Sequence, residues 1–146
     1  MPQSHPGAGK SPREYPLRPI PSCTALVLRP GRTYPEVLPV HRAAEPRRGL
    51  WCLPGGAVEI GETVEDALVR EVKGETGLVV RPLRLIGMMD LITRDQGRVR
   101  FHFVLLQYLA DWVSGCPRAS TDAAEARWVG LGPDSKVEME VGWLDP

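Results

Sequence analysis

Gly55-Gly56-Ala57-Val58-Glu59-Ile60-Gly61-Glu62-Thr63, running on through Arg70-Glu71-Val72-Lys73-Gly74-Glu75-Thr76-Gly77-Leu78, decides how this chain is read. Glycines crowd its first half, so backbone can approach a ligand or an ion closely there. Thr63 is a good helix N-cap, and Asp66 three residues on makes an acidic variant of the capping box. Val64, Ala67, Leu68 and Val72 recur at helical spacing and supply one buried face, and Gly77 supplies a left-handed stop. The stretch therefore reads as a glycine-rich loop feeding one amphipathic helix. On that helix Glu71 and Glu75 stand four residues apart, one turn above each other on the same face. Two carboxylates so placed can share a hard cation or divide into ligand and base, although such a pair is most often a solvated face. Glu62 precedes the helix and can fold back toward the same place, and Arg70 can pair with a neighbouring carboxylate and fix its orientation.

Outward from this stretch the pattern is of strands. Cys23 to Leu28 is an apolar run ended by the turn signal Arg29-Pro30-Gly31-Arg32. Val37 to Arg42 reads as the returning arm of a hairpin, with Pro39 restricting it to an edge or a bulge. A polar loop, Ala43 to Gly49, precedes the short apolar stretch Leu50 to Leu53. Beyond the helix, Leu83 to Met89 and Val99 to Leu109 read as strands separated by Thr93 to Gly97, and Ala126 to Leu131 as one more. Hairpin, helix, hairpin and strand in that order predict an α/β layered domain with a mixed sheet. The six prolines within residues 1–21 predict a flexible tail, leaving residues 22–146 as the folded domain. At 146 residues the chain is the size of one domain with its own core.

Eighteen basic residues balance eighteen acidic ones. That balance argues against a histone-like nucleic-acid binder or a membrane-surface protein, so local charge must carry any argument about phosphate. The odd cysteine count, without a CxxC pair, argues against a disulfide framework or a zinc ribbon and fits a reducing compartment. No run approaches the ~18 apolar residues of a membrane span. The N-terminus lacks the apolar core of a signal peptide, and a cytoplasmic location is expected.

The quoted stretch resembles the Nudix box, G-x5-E-x7-R-E-U-x-E-E-x-G-U with U a bulky aliphatic. Gly56, Glu62, Arg70, Glu71, Val72, Glu75, Gly77 and Leu78 fall in register, and Gly49 to Gly56 resembles the usual approach to the box. The resemblance extends from about Ser22 to about Leu131. It implies a Nudix-type α/β/α sandwich with a mixed β-sheet. It also implies a hydrolase that cleaves a diphosphate linkage in a small nucleotide with the help of Mg²⁺ or Mn²⁺. Glu71 and Glu75 would bind the ion, helped by the main-chain carbonyl of Gly55; Arg70 would orient Glu71; Glu62 would support the loop or the metal shell. One position departs: Gly74 stands where the family has the first Glu of its E-E pair. Glycine has no side-chain carboxylate to replace it, and it weakens a helix by about 1 kcal/mol relative to alanine. Either the remaining pair holds fewer ions, or another carboxylate substitutes, or the chain binds nucleotides without efficient catalysis.

Glu125, just before Arg127-Trp128, resembles an acidic family feature facing the metal and is the expected extra ligand or base, with Asp122 second. Arg98, Arg100 and His102 share a strand face, and Arg42, Arg47 and Arg48 sit on the loop leading to the box. Of these, Arg42, Arg48, Arg100 and His102 are the expected contacts to substrate phosphates. Subfamily markers are missing: Ile92 lies near the place where ADP-ribose enzymes of the family tend to carry proline, and Thr93 to Asp95 where diadenosine polyphosphate enzymes tend to carry tyrosine. A nucleoside diphosphate linked to a sugar is favoured, with a nucleoside triphosphate next; a decapping role gains nothing from the neutral charge. Near the C-terminus Val137, Met139 and Val141 alternate with Glu138 and Glu140, a strand-like end that either completes a homodimer or stays loose.

Overall fold

A computed structural model describes residues 13–121 and 123–133. The expectations for Asp122 and for Val137 to Val141 lie outside the described residues. The elements follow in order: β1 (Ile20–Arg29), β2 (Glu36–Val37), β3 (Val40–Arg42), β4 (Trp51–Cys52), β5 (Gly55–Ala57), α1 (Val64–Thr76), β6 (Val79–Asp95), β7 (Arg98–Ser114), β8 (Ala123–Ala126) and β9 (Val129–Gly130).

One sheet runs β6-β7-β1-β2-β9, with β5 also paired to β1; a second runs β4-β3-β8. β1 and β7 are parallel, from Ile20 opposite Phe103 to Leu28 opposite Asp111, while the other pairings are antiparallel. The large sheet is therefore mixed, as expected. β1 is interior and covered on both faces, so Ser22 to Ala25 are buried consecutively instead of alternating.

The expected returning arm is split at Pro39. β2 pairs with β1 in the large sheet, and β3 pairs with β4 and β8 in the small one. Proline cannot donate to a ladder, so the chain leaves one sheet there and enters the other. The predicted strand Ala126–Leu131 is divided in the same way, β8 lying against β3 and β9 against β2. The second hairpin is longer than predicted. Its turn is only Gln96-Gly97, both at positive φ (48° and 81°), the two-residue form whose twist matches antiparallel strands. β1 opens at Ile20, two residues before the boundary expected at Ser22. Before it, Tyr15 donates its backbone N–H to Arg100 O (2.7 Å) and its hydroxyl to Asp95 (3.0 Å), within the stretch expected to be a tail.

α1 follows its sequence signals. Thr63 Oγ1 accepts the Asp66 N–H at 3.1 Å, and Gly77 ends the helix at φ 82° with its N–H on Lys73 O. Ala67, Leu68 and Val72 are fully buried against Cys23, Ala25 and Val27 of β1. Each fully buried Leu or Val contributes about 1.5–3 kcal/mol, which fixes α1 across the sheet. A second cluster, Leu91, Phe101, Phe103 and Leu105, lies on the opposite face of the large sheet. Among the described residues no helix is long and apolar enough to cross a membrane.

Candidate active site

The loop from Gly55 to Thr63 is tied to α1 by one arginine. Arg70 Nε donates to Glu62 Oε2 (2.8 Å) and its Nη2 to Glu62 Oε1 (2.7 Å), a two-pronged pair that matches the guanidinium fork to the carboxylate. Nη2 also reaches Ala57 O (3.1 Å), and Nη1 donates to Glu71 Oε1 (2.7 Å). Glu62 Oε1 accepts the Glu59 N–H as well, at 3.0 Å. The Arg70 hydrogen bonds, and after them the Glu59 N–H, hold the Glu62 carboxyl down to about 2. Glu62 is thus tied to the loop backbone, and Arg70 joins it to Glu71.

Glu71 and Glu75 face the two glycines. Glu75 is buried, and its Oε2 accepts the Gly55 N–H at 2.9 Å. A side chain on Gly56 would collide with the Glu71 carboxylate, so glycine is required for that carboxylate to lie against β5. A side chain on Gly55 would collide with the backbone of Cys23. Gly74 differs: it is exposed, and a Cβ there would meet nothing within 4 Å. The residue that departs from the pattern therefore leaves open space beside the carboxylate pair.

Gly55, Gly56, Glu71, Gly74 and Glu75 form one end of a cleft of about 630 Å³. Its other wall is Leu91, Phe101, Phe103 and Leu105, and Ser22 and Thr24 of β1 also border it. Arg42 and Arg47 line it from the loop before the box, where Arg42 Nε donates to Pro46 O at 2.7 Å. Arg13 and Glu14, ahead of β1, close another side.

Three expected substrate contacts lie elsewhere. Arg48 is exposed and does not border the cleft. Arg100 pairs with Glu14 at 3.3 Å. His102 alternates with Phe101 and Phe103 and so points to the face of β7 opposite the cleft wall. Glu125 also lies outside the cleft: β8 is paired with β3, Glu125 opposite His41, and its half-exposed side chain stands 3.7 Å from Arg127. Of the expected contacts Arg42 borders the cleft; sequence reasoning did not single out the apolar wall, the two β1 hydroxyl residues or Arg13. The alternation of Phe101, Phe103 and Leu105 was the available signal for the wall. Cys23 and Cys52 are buried thiols, each pushed up to about 11 chiefly by burial, and behave as core groups.

Two carboxylates one helical turn apart beside main-chain oxygens are hard donors of the kind Mg²⁺ takes, with water and substrate phosphate completing its shell. Among the described residues no group of three or more His, Cys, Asp and Glu is placed to hold an ion without such help. The set fits an ion held partly by the substrate.

The site thus joins a mixed sheet, a helix presenting paired carboxylates to a double-glycine strand, and an arginine that spans the intervening loop. The profile of the NUDIX domain matches residues 19–132. An ADP-ribose pyrophosphatase of Methanocaldococcus jannaschii is 40% identical over 105 residues, 72% of this chain and 60% of the relative. A MutT-like protein of Streptomyces ambofaciens is 32% identical over 135 residues, 92% of this chain and 75% of the relative. The crystal structure of a MutT NUDIX hydrolase from Burkholderia pseudomallei superposes with a TM-score of 0.65 at 33% identity, covering 76% of this chain and 82% of that one. The chain belongs to the Nudix family and has its α/β/α sandwich fold. It spans about 60% of the length of the Methanocaldococcus relative.

Proposed function

We propose that this chain is a Nudix pyrophosphohydrolase that cleaves the diphosphate linkage of a nucleoside diphosphate joined to a sugar, ADP-ribose or a sugar nucleotide. The observation that carries the reading is one cleft that holds the Glu71–Glu75 pair, braced by Arg70, at one end and an apolar wall at the other. Such a cleft suits a ligand that is anionic in the middle and flat and apolar at one end. The likeness to a relative named ADP-ribose pyrophosphatase supports the same substrate class. Water adds to one phosphorus, the bridging P–O bond breaks, and two phosphomonoesters leave. Glu71 and Glu75, with the main chain of Gly55, would hold Mg²⁺ or Mn²⁺, which supplies charge neutralisation and a more acidic water. Arg70 holds Glu71 in place through the cycle, and Arg42 and Arg47 offer positive charge to the phosphates from the rim.

The test is a panel of ADP-ribose, sugar nucleotides, dinucleoside polyphosphates and NADH with Mg²⁺ and then Mn²⁺. Phosphatase-coupled release reads the monoester products. Metal-dependent turnover lost in Glu71→Gln establishes the enzyme. The second reading, a Nudix-fold nucleotide-binding module with weak or no catalysis, is favoured by Gly74 alone. Nucleotide binding with no turnover in the whole panel would select it.

A further inference from the structure

β1 divides its side chains between two faces. Cys23, Ala25 and Val27 enter the core beneath α1, while Ser22 and Thr24 point to the opposite face. Ser22 and Thr24 are only 3% and 4% exposed, yet both border the cleft. Among the described residues neither hydroxyl has a hydrogen-bond partner. Their neighbours across the ladders explain why. On β5 they stand opposite Ala57 and Gly55, which carry no polar side chain. On β7 they stand opposite Leu105 and Gln107. Among the described residues the Gln107 amide makes a long 4.0 Å contact, to the Met89 sulfur.

A buried hydroxyl without a partner is destabilising, and alanine or valine would fill these positions without that cost. Such a group can be satisfied by a partner from outside the folded chain, a ligand or a water. Here the surroundings specify which. Leu91, Phe101, Phe103 and Leu105 continue the same face as a platform, the two phenyl rings stacked with centroids 6.0 Å apart. A flat apolar platform bordered by two hydroxyls, each able to donate or accept, matches a planar heterocycle with polar atoms on its edge.

We propose that the Ser22 and Thr24 hydroxyls bind the edge of the substrate's nucleobase and determine which base the cleft accepts. The proposal rests on the reading of this cleft as a nucleotide-hydrolase site and adds the residues that read the base.

The experiment compares Ser22→Ala, Thr24→Val and Thr24→Ser with the unaltered chain. Steady-state hydrolysis of ADP-ribose is measured with Mg²⁺. Calorimetric binding of AMP and of ribose 5-phosphate, which lacks the base, is measured without metal. Each of the first two variants is expected to raise KM for ADP-ribose about five-fold, the size of one ordinary hydrogen bond, with kcat nearly unchanged. AMP affinity should fall by the same factor and ribose 5-phosphate affinity should not. Tm without ligand should hold or rise, because an unsatisfied hydroxyl is removed. Thr24→Ser, which keeps the hydroxyl, should stay near the unaltered chain. Unchanged KM with a lowered Tm would assign the hydroxyls to an internal water and overturn the proposal. An equal loss of ribose 5-phosphate affinity would move them to the ribose and overturn it too. If the unaltered chain hydrolyses ADP-ribose while both variants match it, this inference falls and the hydrolase reading stands. If the unaltered chain neither binds nor cleaves any nucleotide, both fall.

Discussion

Replacing Gly56 by alanine is expected to leave the fold standing and to disable the site. A Cβ at Gly56 would lie 2.8 Å from Glu71 Oε1, with Oε2 and the carboxyl carbon nearer still. Ordinary van der Waals contact begins near 3.4 Å. The carboxylate must therefore retreat by at least ~0.6 Å, and by roughly 1 Å once its nearer atoms are counted. Gly56 is not among the residues at positive φ, so its backbone accepts alanine, and the obstacle is the end of a flexible side chain. Glu71 swings aside and loses its alignment with Arg70 Nη1, now 2.7 Å away. Misplacing a catalytic group by about 1 Å costs on the order of 100-fold. Assayed with ADP-ribose and Mg²⁺, Gly56→Ala should lose ~100-fold in kcat/KM, mostly in kcat, with Tm within about 2 °C of the unaltered chain. Gly55→Ala is the contrast: its Cβ would lie 2.8 Å from the Cys23 carbonyl carbon and the Thr24 Cα, backbone atoms that cannot yield unless β1 opens. That variant should lose Tm and activity together. Full turnover in Gly56→Ala, or a Tm loss matching that of Gly55→Ala, would refute the placement of Glu71 against β5.

Three further predictions concern α1 and its loop. Gly74 is exposed in the helix with open space at its Cβ, so Gly74→Ala should stabilise by up to ~1 kcal/mol, read as a Tm rise of roughly 2–4 °C. Gly74→Glu should tighten Mg²⁺ binding in calorimetry, and unchanged affinity would show that a side chain there does not reach the ion. For Glu62 the folded carboxyl is held at about 2 against an ordinary 4.5. A depressed folded pKa gives stabilisation that is complete above the ordinary value and is lost as pH falls toward the folded one. The Tm advantage of the unaltered chain over Glu62→Gln should be full at pH 7 and close between pH 4.5 and 2. A gap constant through that range would show that the Glu62–Arg70 pair is not what separates the two proteins.

The box was legible because everything it needs is local. The Thr63 cap, the Gly77 stop, the Glu71–Glu75 spacing and the Arg70–Glu62 pair lie within one loop and one helix, where sequence separation sets distance. Outside it, distance is set by strand pairing across the chain. The period of β7 was correctly read as alternating, but only its parallel pairing with β1, from Ile20 opposite Phe103 onward, decides that Phe101 and Phe103 face the cleft and His102 does not. Arg100 was diverted by Glu14, from a segment with no periodic signal. Glu125 was placed by the pairing of β8 with β3, which follows from the chain changing sheets at Pro39. The proline was visible in the sequence; the change of sheet it causes was not.

Under the proposed function, the same division would separate catalysis from selection within the cleft. The Glu71–Glu75 end is held by short hydrogen bonds inside one contiguous segment, so its geometry survives changes elsewhere. The opposite end is assembled from β1, β6, β7, the Ala43–Gly49 loop and the residues before β1. None of these is fixed by the box. The loop is held by its own backbone bonds, Arg42 to Leu50 and Gly49 to Arg42, around Arg47 in the left-handed region at φ 63°. A non-glycine residue kept in that conformation costs about 1 kcal/mol or more and persists where neighbouring contacts enforce it. Substitutions in that loop should therefore change which nucleotide is accepted while leaving the response to metal intact, and substitutions in the box should do the reverse.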